Sequence, residues 1–151
     1  MATVDDLIQR IDEPEEDDDG TEAHDIVDEL VAGGDDSLLP ALEGHLARYL
    51  HDGDFFARDA VAAALAGIAG VESLPTLLRA AARNLGDDQD GLSAEILELI
   101  AAAPDRAQHL IAQLSTDPAV REKTLWAAQF LPRTADRTTD TTQESFSRQR
   151  G

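Results

Sequence analysis

The chain has 151 residues, 42% of them hydrophobic but only 4% aromatic, and it carries a formal net charge of −19 with no cysteine. That length suits one domain burying roughly two-thirds of its unfolded surface, and the absence of thiols excludes disulfides, cysteinate metal sites and a Cys nucleophile. The charge would repel a phosphate backbone, which argues against direct nucleic-acid binding and for a basic protein partner.

The charge is uneven. Residues 1–36 hold 15 acids and one base (−14), residues 37–132 hold 13 and seven (−6), and residues 133–151 hold three and four (+1). The first 20 residues lack the basic start and apolar core of a signal peptide, and no run of about 18 apolar residues stands out, so a cytoplasmic protein without membrane contact is expected.

Taken in order, Val4 to Ile11 can form a short helix capped by Thr3, but the run DEPEEDDDG over 12–20 is a block of repelling carboxylates. Residues 1–20 are therefore expected to be an acidic flexible segment, dispensable for folding. From Thr21 a helix follows with Ile26, Val27, Leu30 and Val31 on one face, ended by Gly33-Gly34. The next opens at Asp36 or Ser37, with Pro40 in its first turn and Leu39, Leu42, Leu46 and Leu50 on one side.

The stretch from Asp54 to Leu85 reads as a helical hairpin with its corner at Gly70-Val71. Val61, Ala64, Leu65 and Ile68 share one face of its first helix. Ala60, Ala63 and Gly67 lie beside that face, and such small residues let a second helix approach, so packing on two sides is expected. Gly70 should end the helix in the left-handed conformation. Ser73 should cap the second helix, whose stripe is Leu74, Leu77, Leu78, Ala81 and Leu85. Further helices bury Leu92, Ile96, Leu99, Ile100 and Ala103, then Ala107, Leu110, Ile111 and Leu114. The last is capped by Asp117 and turns Val120, Thr124, Ala127 and Leu131 inward. Residues 133–151, polar except for Phe146, read as a disordered tail.

A repeat underlies this order. Pro40 and Leu42 match Pro75 and Leu77 at an offset of 35, Val61 and Leu65 match Ile96 and Ile100 at the same offset, and Arg58-Asp59 matches Arg121-Glu122 at 63. Helix pairs over roughly 37–69, 72–103 and 105–131, with an irregular pair before them, make an all-α fold over 21–132 that stacks as a short α-solenoid.

The stretch DGDFFARDAVAAALAGIAGVESLPTLL resembles the HEAT repeat, in the Ala-rich form of the HEAT-like repeats of phycobilisome lyases, and the resemblance covers about residues 36–131. It implies a structural ladder between repeats, made by an Asp six residues before an Arg. Asp52 and Arg58 fill both positions in the first unit, the second keeps Asp87 with Ser93 in the Arg slot, and the third keeps Arg121 with Ser115 in the Asp slot.

No constellation spells catalysis. Glu15, Asp17, Asp19 and Gly20 match the start of an EF-hand loop, but the bidentate position falls on Ile26. His24, His45, His51 and His109 fall on separate helices, without HxxxH spacing. Neither a GxSxG elbow nor a phosphate-cradling glycine loop is present. No metal and no cofactor are expected.

In HEAT-like stacks the second helix of each pair lines the concave side. Opposite the buried stripes there stand Asp59, Ala63 and Ala66, then Ala94, Glu95, Glu98 and Ala101, then Glu122, Leu125, Trp126 and Gln129. The expected partner site is accordingly Asp59, Glu95, Glu98, Glu122, Trp126 and Gln129, an acidic groove with one aromatic. The function expected is a non-enzymatic adaptor or scaffold that binds a basic protein. The alternative is an acidic inhibitor, such as an immunity protein blocking a basic nuclease or toxin site, and a lyase or base-excision enzyme on such repeats ranks third. Trp126 and Phe130, one turn apart at the end of the stack, call for cover by the tail, by the partner or by a second copy in a homodimer.

Overall fold

The computed structural model describes residues 2–14, 16 and 20–132. These are all-helical, with no strand among them: α1 (Val4–Asp12), α2 (Thr21–Gly33), α3 (Leu39–Asp52), α4 (Phe55–Ala69), α5 (Leu74–Ala81), α6 (Asp90–Ala102), α7 (Pro104–Leu114) and α8 (Arg121–Ala128). Short 3-10 turns at Asp36–Leu38 and Gly70–Ser73 lead into α3 and α5. The tail, residues 133–151, and Glu15, Asp17 and Asp19 of the EF-hand-like run lie outside the described residues.

Helix α4 is the centre. Eight of its residues are buried, and it packs against α3, its hairpin partner, and against α2 and α6 on either side. Helices α1, α3, α5 and α7 touch in succession, and α8 packs on α5 and α7. Most inward residues read from the sequence lie in or against this core, with Leu42, Val61, Leu65, Leu77, Ile96 and Ala107 almost wholly buried, whereas Leu85 and Ala103 are only partly buried and lie outside it. Sequence periodicity misses Tyr49, which is equally buried.

Two-sided packing of α4 depends on Gly67. A Cβ placed there would lie 2.4 Å from Val31 Cγ2 and 2.7 Å from Cγ1, both on α2. Alanine favours a helix interior over glycine by about 1 kcal/mol, whereas forcing a methyl against a stiff β-branched neighbour costs about 1–3 kcal/mol. Gly67→Ala is thus expected to destabilise the protein, and Val31→Ala in the same chain to recover part of the loss. Urea denaturation of the single and double variants checks this, and a stabilised Gly67→Ala would show that the two helices can part cheaply.

Several expectations are corrected. Gly70 has φ 64° and ψ −143°, a region almost reserved for glycine but distinct from the left-handed helix. Ser73 does not cap α5; its hydroxyl donates to the Gly70 carbonyl at 2.7 Å, inside the 3-10 turn. Helix α5 stops at Ala81 short of Leu85, because the buried Gln89 amide donates to the carbonyls of Ala81 and Arg83 at 2.9 and 3.1 Å and so takes over its C-terminal end. Asp117 caps a turn, accepting from the Ala119 N–H at 3.0 Å, and the last helix begins only at Arg121. The stretch Phe55–Ala81 is long and apolar enough on paper to cross a bilayer, with a mean hydropathy of 1.6, but the 3-10 turn divides it and half of its most apolar window is buried in the protein.

The largest correction concerns residues 1–20. Residues 4–12 are a packed helix and not a flexible arm: Val4 and Leu7 are buried, with Ile8 and Ile11 packed against the core. Thr3 and Asp6 cap the helix reciprocally, at 3.1 and 2.9 Å. At its other end the Asp12 carboxylate accepts from the Tyr49 hydroxyl at 2.9 Å and from Arg48 at 3.0 Å. The apolar stripe at 4, 7, 8 and 11 outweighs the repulsion among its acids.

Candidate functional site

The acidic surface grows around one buried cation. Arg58, in the first turn of α4, has no exposed surface. Its Nη1 and Nη2 donate to the two oxygens of Asp87 at 3.0 and 2.6 Å, and its Nε donates to Asp59 at 2.8 Å. Planar, bidentate pairing of this kind is what a guanidinium can do and an ammonium cannot. Asp87 belongs to the loop before α6, so Arg58 ties α4 to the next hairpin. The bidentate partner of Arg58 is therefore Asp87 and not Asp52. Asp52 sits one helix turn from Arg48, 4.0 Å away, at the exposed end of α3. Arg121 is exposed and makes no ion pair with any described residue.

One arginine does not neutralise what surrounds it. The hydrogen bonds from Arg58 hold the Asp87 carboxyl below the usual aspartate range. Burial pushes the Asp59 carboxyl up despite Arg58, and the nearby charges of Asp87 and Asp88 add to the rise. Burial likewise raises Glu95, with Glu98 and Asp59 adding repulsion. The other Asp59 oxygen, Oδ2, lies only 3.3 Å from where a Cβ on Gly91 would stand, so Asp59 is wedged between α4 and the first turn of α6.

Of the six residues expected to form the site, the structure thus brings Asp59, Glu95 and Glu98 together. Glu122 and Trp126 line an open depression of about 400 Å³ together with Asp87, Gln89 and Lys123. Gln129 is exposed beyond them on the turn that follows α8. Trp126 is half-buried, with the Lys123 ammonium 5.4 Å from its ring centre and the Phe130 ring edge-on at 5.3 Å. Ala66, expected to line the groove, is buried instead. Sequence reasoning missed Asp88 as part of the acidic group and Gln89 as its support. Gln89 adopts a positive φ of 59°, which nothing in the residue type announces.

Chemically the arrangement offers negative potential. Among the described residues no three His, Asp or Glu side chains converge to hold a metal ion, and His109 meets only Gln113. No family model, characterised protein or solved structure matches this chain.

Repulsion within the group makes a prediction. Glu95 has its pKa raised above the ordinary 4.5 in the folded protein, so its ionisation opposes folding, and increasingly so as pH rises through the folded value. Glu95→Gln is expected to stabilise the protein at pH 7, by a few tenths to about 1 kcal/mol for a partly exposed group. The gain should vanish below about pH 4.5, where the glutamate is protonated in both states. Thermal melts of both proteins at pH 4 and 7 decide it, and a Gln variant less stable at pH 7 would mean Glu95 has a cationic partner.

Proposed function

We propose that the protein is a short HEAT-like α-solenoid of four helix pairs, α1/α2, α3/α4, α5/α6 and α7/α8, that acts without catalysis as a binding module for a basic protein segment. Support for the stacking comes from the successive contacts along α1, α3, α5 and α7, from those along α2, α4 and α6, and from the reach of Arg58 into the following hairpin. The binding reading rests on one observation above all. Glu95 feels the charges of Asp59, on the helix packed against its own, and of Glu98, one turn along α6, and neither glutamate has an ion-pair partner among the described residues. Carboxylates held together in this way attract an external cation, since a positive side chain placed among them relieves their mutual repulsion.

Oligo-lysine and oligo-arginine peptides are suitable first probes. Reversing Glu98 and Glu122, both exposed, to lysine is expected to lower their affinity about tenfold or more, which corresponds to about 1.4 kcal/mol. Raising the salt should weaken binding to the parent protein more than to the variant. Affinities that ignore both changes would rule out this face as the binding surface.

A further inference from the structure

Helix α6 presents two kinds of surface. One side carries Glu95, near Asp59, and Glu98. On the adjoining side Leu97, Ile100 and Ala101 join Pro104, Phe130 and Pro132 in lining an open, mainly apolar hollow of about 400 Å³. That volume falls within the range of roughly 300–1,000 Å³ typical of pockets that bury ligand groups. Glu98 and Ala101 are neighbours at i, i+3, so the acidic and apolar parts form one continuous strip. Phe130, on the rim, keeps 47% of its surface exposed.

We infer that this strip is a bipartite docking site for a peptide segment bearing a basic side chain and, about three to four residues away, a large apolar one. The inference rests on the basic-partner reading above and adds to it a second anchor and a spacing. The six-residue step from Glu95 to Ala101 rises about 9 Å along the helix at 1.5 Å per residue and turns about a third of the way around it, a gap that an extended chain covers in about three to four residues at 3.3 Å each. Charge complementarity selects the occupant. A purely apolar partner would bury Glu95 and Glu98 against nothing that answers them, and a purely basic one would leave the hollow and Phe130 in water.

The test is selection of phage-displayed random octapeptides on the full chain, followed by titration of the enriched peptides. Trp126 is the only tryptophan, and its ring touches Phe130 edge-on, so its fluorescence should report filling of the hollow by Trp-free peptides. Enriched sequences are expected to share Arg or Lys about three to four residues from Leu, Ile, Met or Phe. Replacing either member should weaken binding about tenfold. Glu95→Gln with Glu98→Gln should remove the preference for the basic residue, and Ala101→Gln, at an exposed position, the preference for the apolar one. Enrichment of basic peptides indifferent to the apolar residue would overturn the bipartite site and leave the basic-partner reading standing. Enrichment with no basic residue, or none at all, would overturn both. A Trp126 spectrum that shifts with protein concentration alone would assign the hollow to a second copy of the chain, and one that shifts when residues 133–151 are removed would assign it to that segment; either result overturns the proposal.

Discussion

Replacing Arg58 with Met is expected to cost about 3–5 kcal/mol, the usual result of removing one partner from a buried ion pair. The loss has two parts. Asp59 and Asp87 lose the guanidinium that offsets their desolvation, in a region where Asp88, Glu95 and Glu98 already supply excess negative charge. The loop before α6 also loses its tie to α4, because both Asp87 oxygens are held by Arg58. For a chain of this size the melting temperature should fall by about 10 °C or more. Guanidinium chloride would obscure such electrostatics, so urea is the denaturant of choice. Adding Asp59→Asn and Asp87→Asn to Arg58→Met should return part of the loss, since a neutral trio strands no charge. A loss under about 1 kcal/mol in the single variant would mean that the two carboxylates reach water once the arginine is gone.

Removing residues 1–13 is expected to cost about 3 kcal/mol or more, although 7 of those 13 residues are polar or charged. Leu7 is wholly buried and Val4 nearly so, and each such side chain contributes about 1.5–3 kcal/mol. Release of the nine helical residues from order offsets some of this. The same deletion has a spectroscopic signature. Tyr49, the only tyrosine, has its phenol pushed up to about 12 by burial and by its hydrogen bond to Asp12. Without α1 the phenol should titrate near the ordinary value of 10.0. Because the folded value is the higher one, the stabilisation tied to the neutral phenol is complete below pH 10 and lost as pH rises towards 12. The intact protein should therefore weaken across that window and the truncated one should not. An unchanged melting temperature and an unchanged phenol titration would together show that α1 is not docked in solution.

The contrast between α1 and the run after it shows where sequence reading fails. Val4, Leu7, Ile8 and Ile11 carry the helical period plainly, but the carboxylates from Asp12 onward dominate composition over the first 20 residues. Composition averages over a window, whereas packing acts on single side chains. A stripe of four apolar residues suffices once α2 and α3 offer a surface to receive it.

The acidic face was legible only in part for a related reason. Helical spacing places Asp59, Glu95 and Glu98 on outward faces, and the structure joins them because α4 and α6 pack directly. Spacing says nothing of how α8 meets the other helices, and it does not reveal that Glu122 and Trp126 share a depression with Asp87, Gln89 and Lys123. The apolar hollow is likewise composed of residues from α6, the start of α7 and the turn after α8, and no periodicity within one helix reveals it.

What the sequence by itself determined is the all-helical character, the identity of most core side chains and the excess of negative charge, since each follows from local periodicity or from counting. The tertiary structure alone decided that Arg58 reaches forward to Asp87, that α1 docks on Tyr49, and that Glu95 comes near Asp59 on the same helix that helps line an apolar hollow. Those facts depend on the distance between helices, which is set by contacts such as Gly67 against Val31, and no one segment contains that distance.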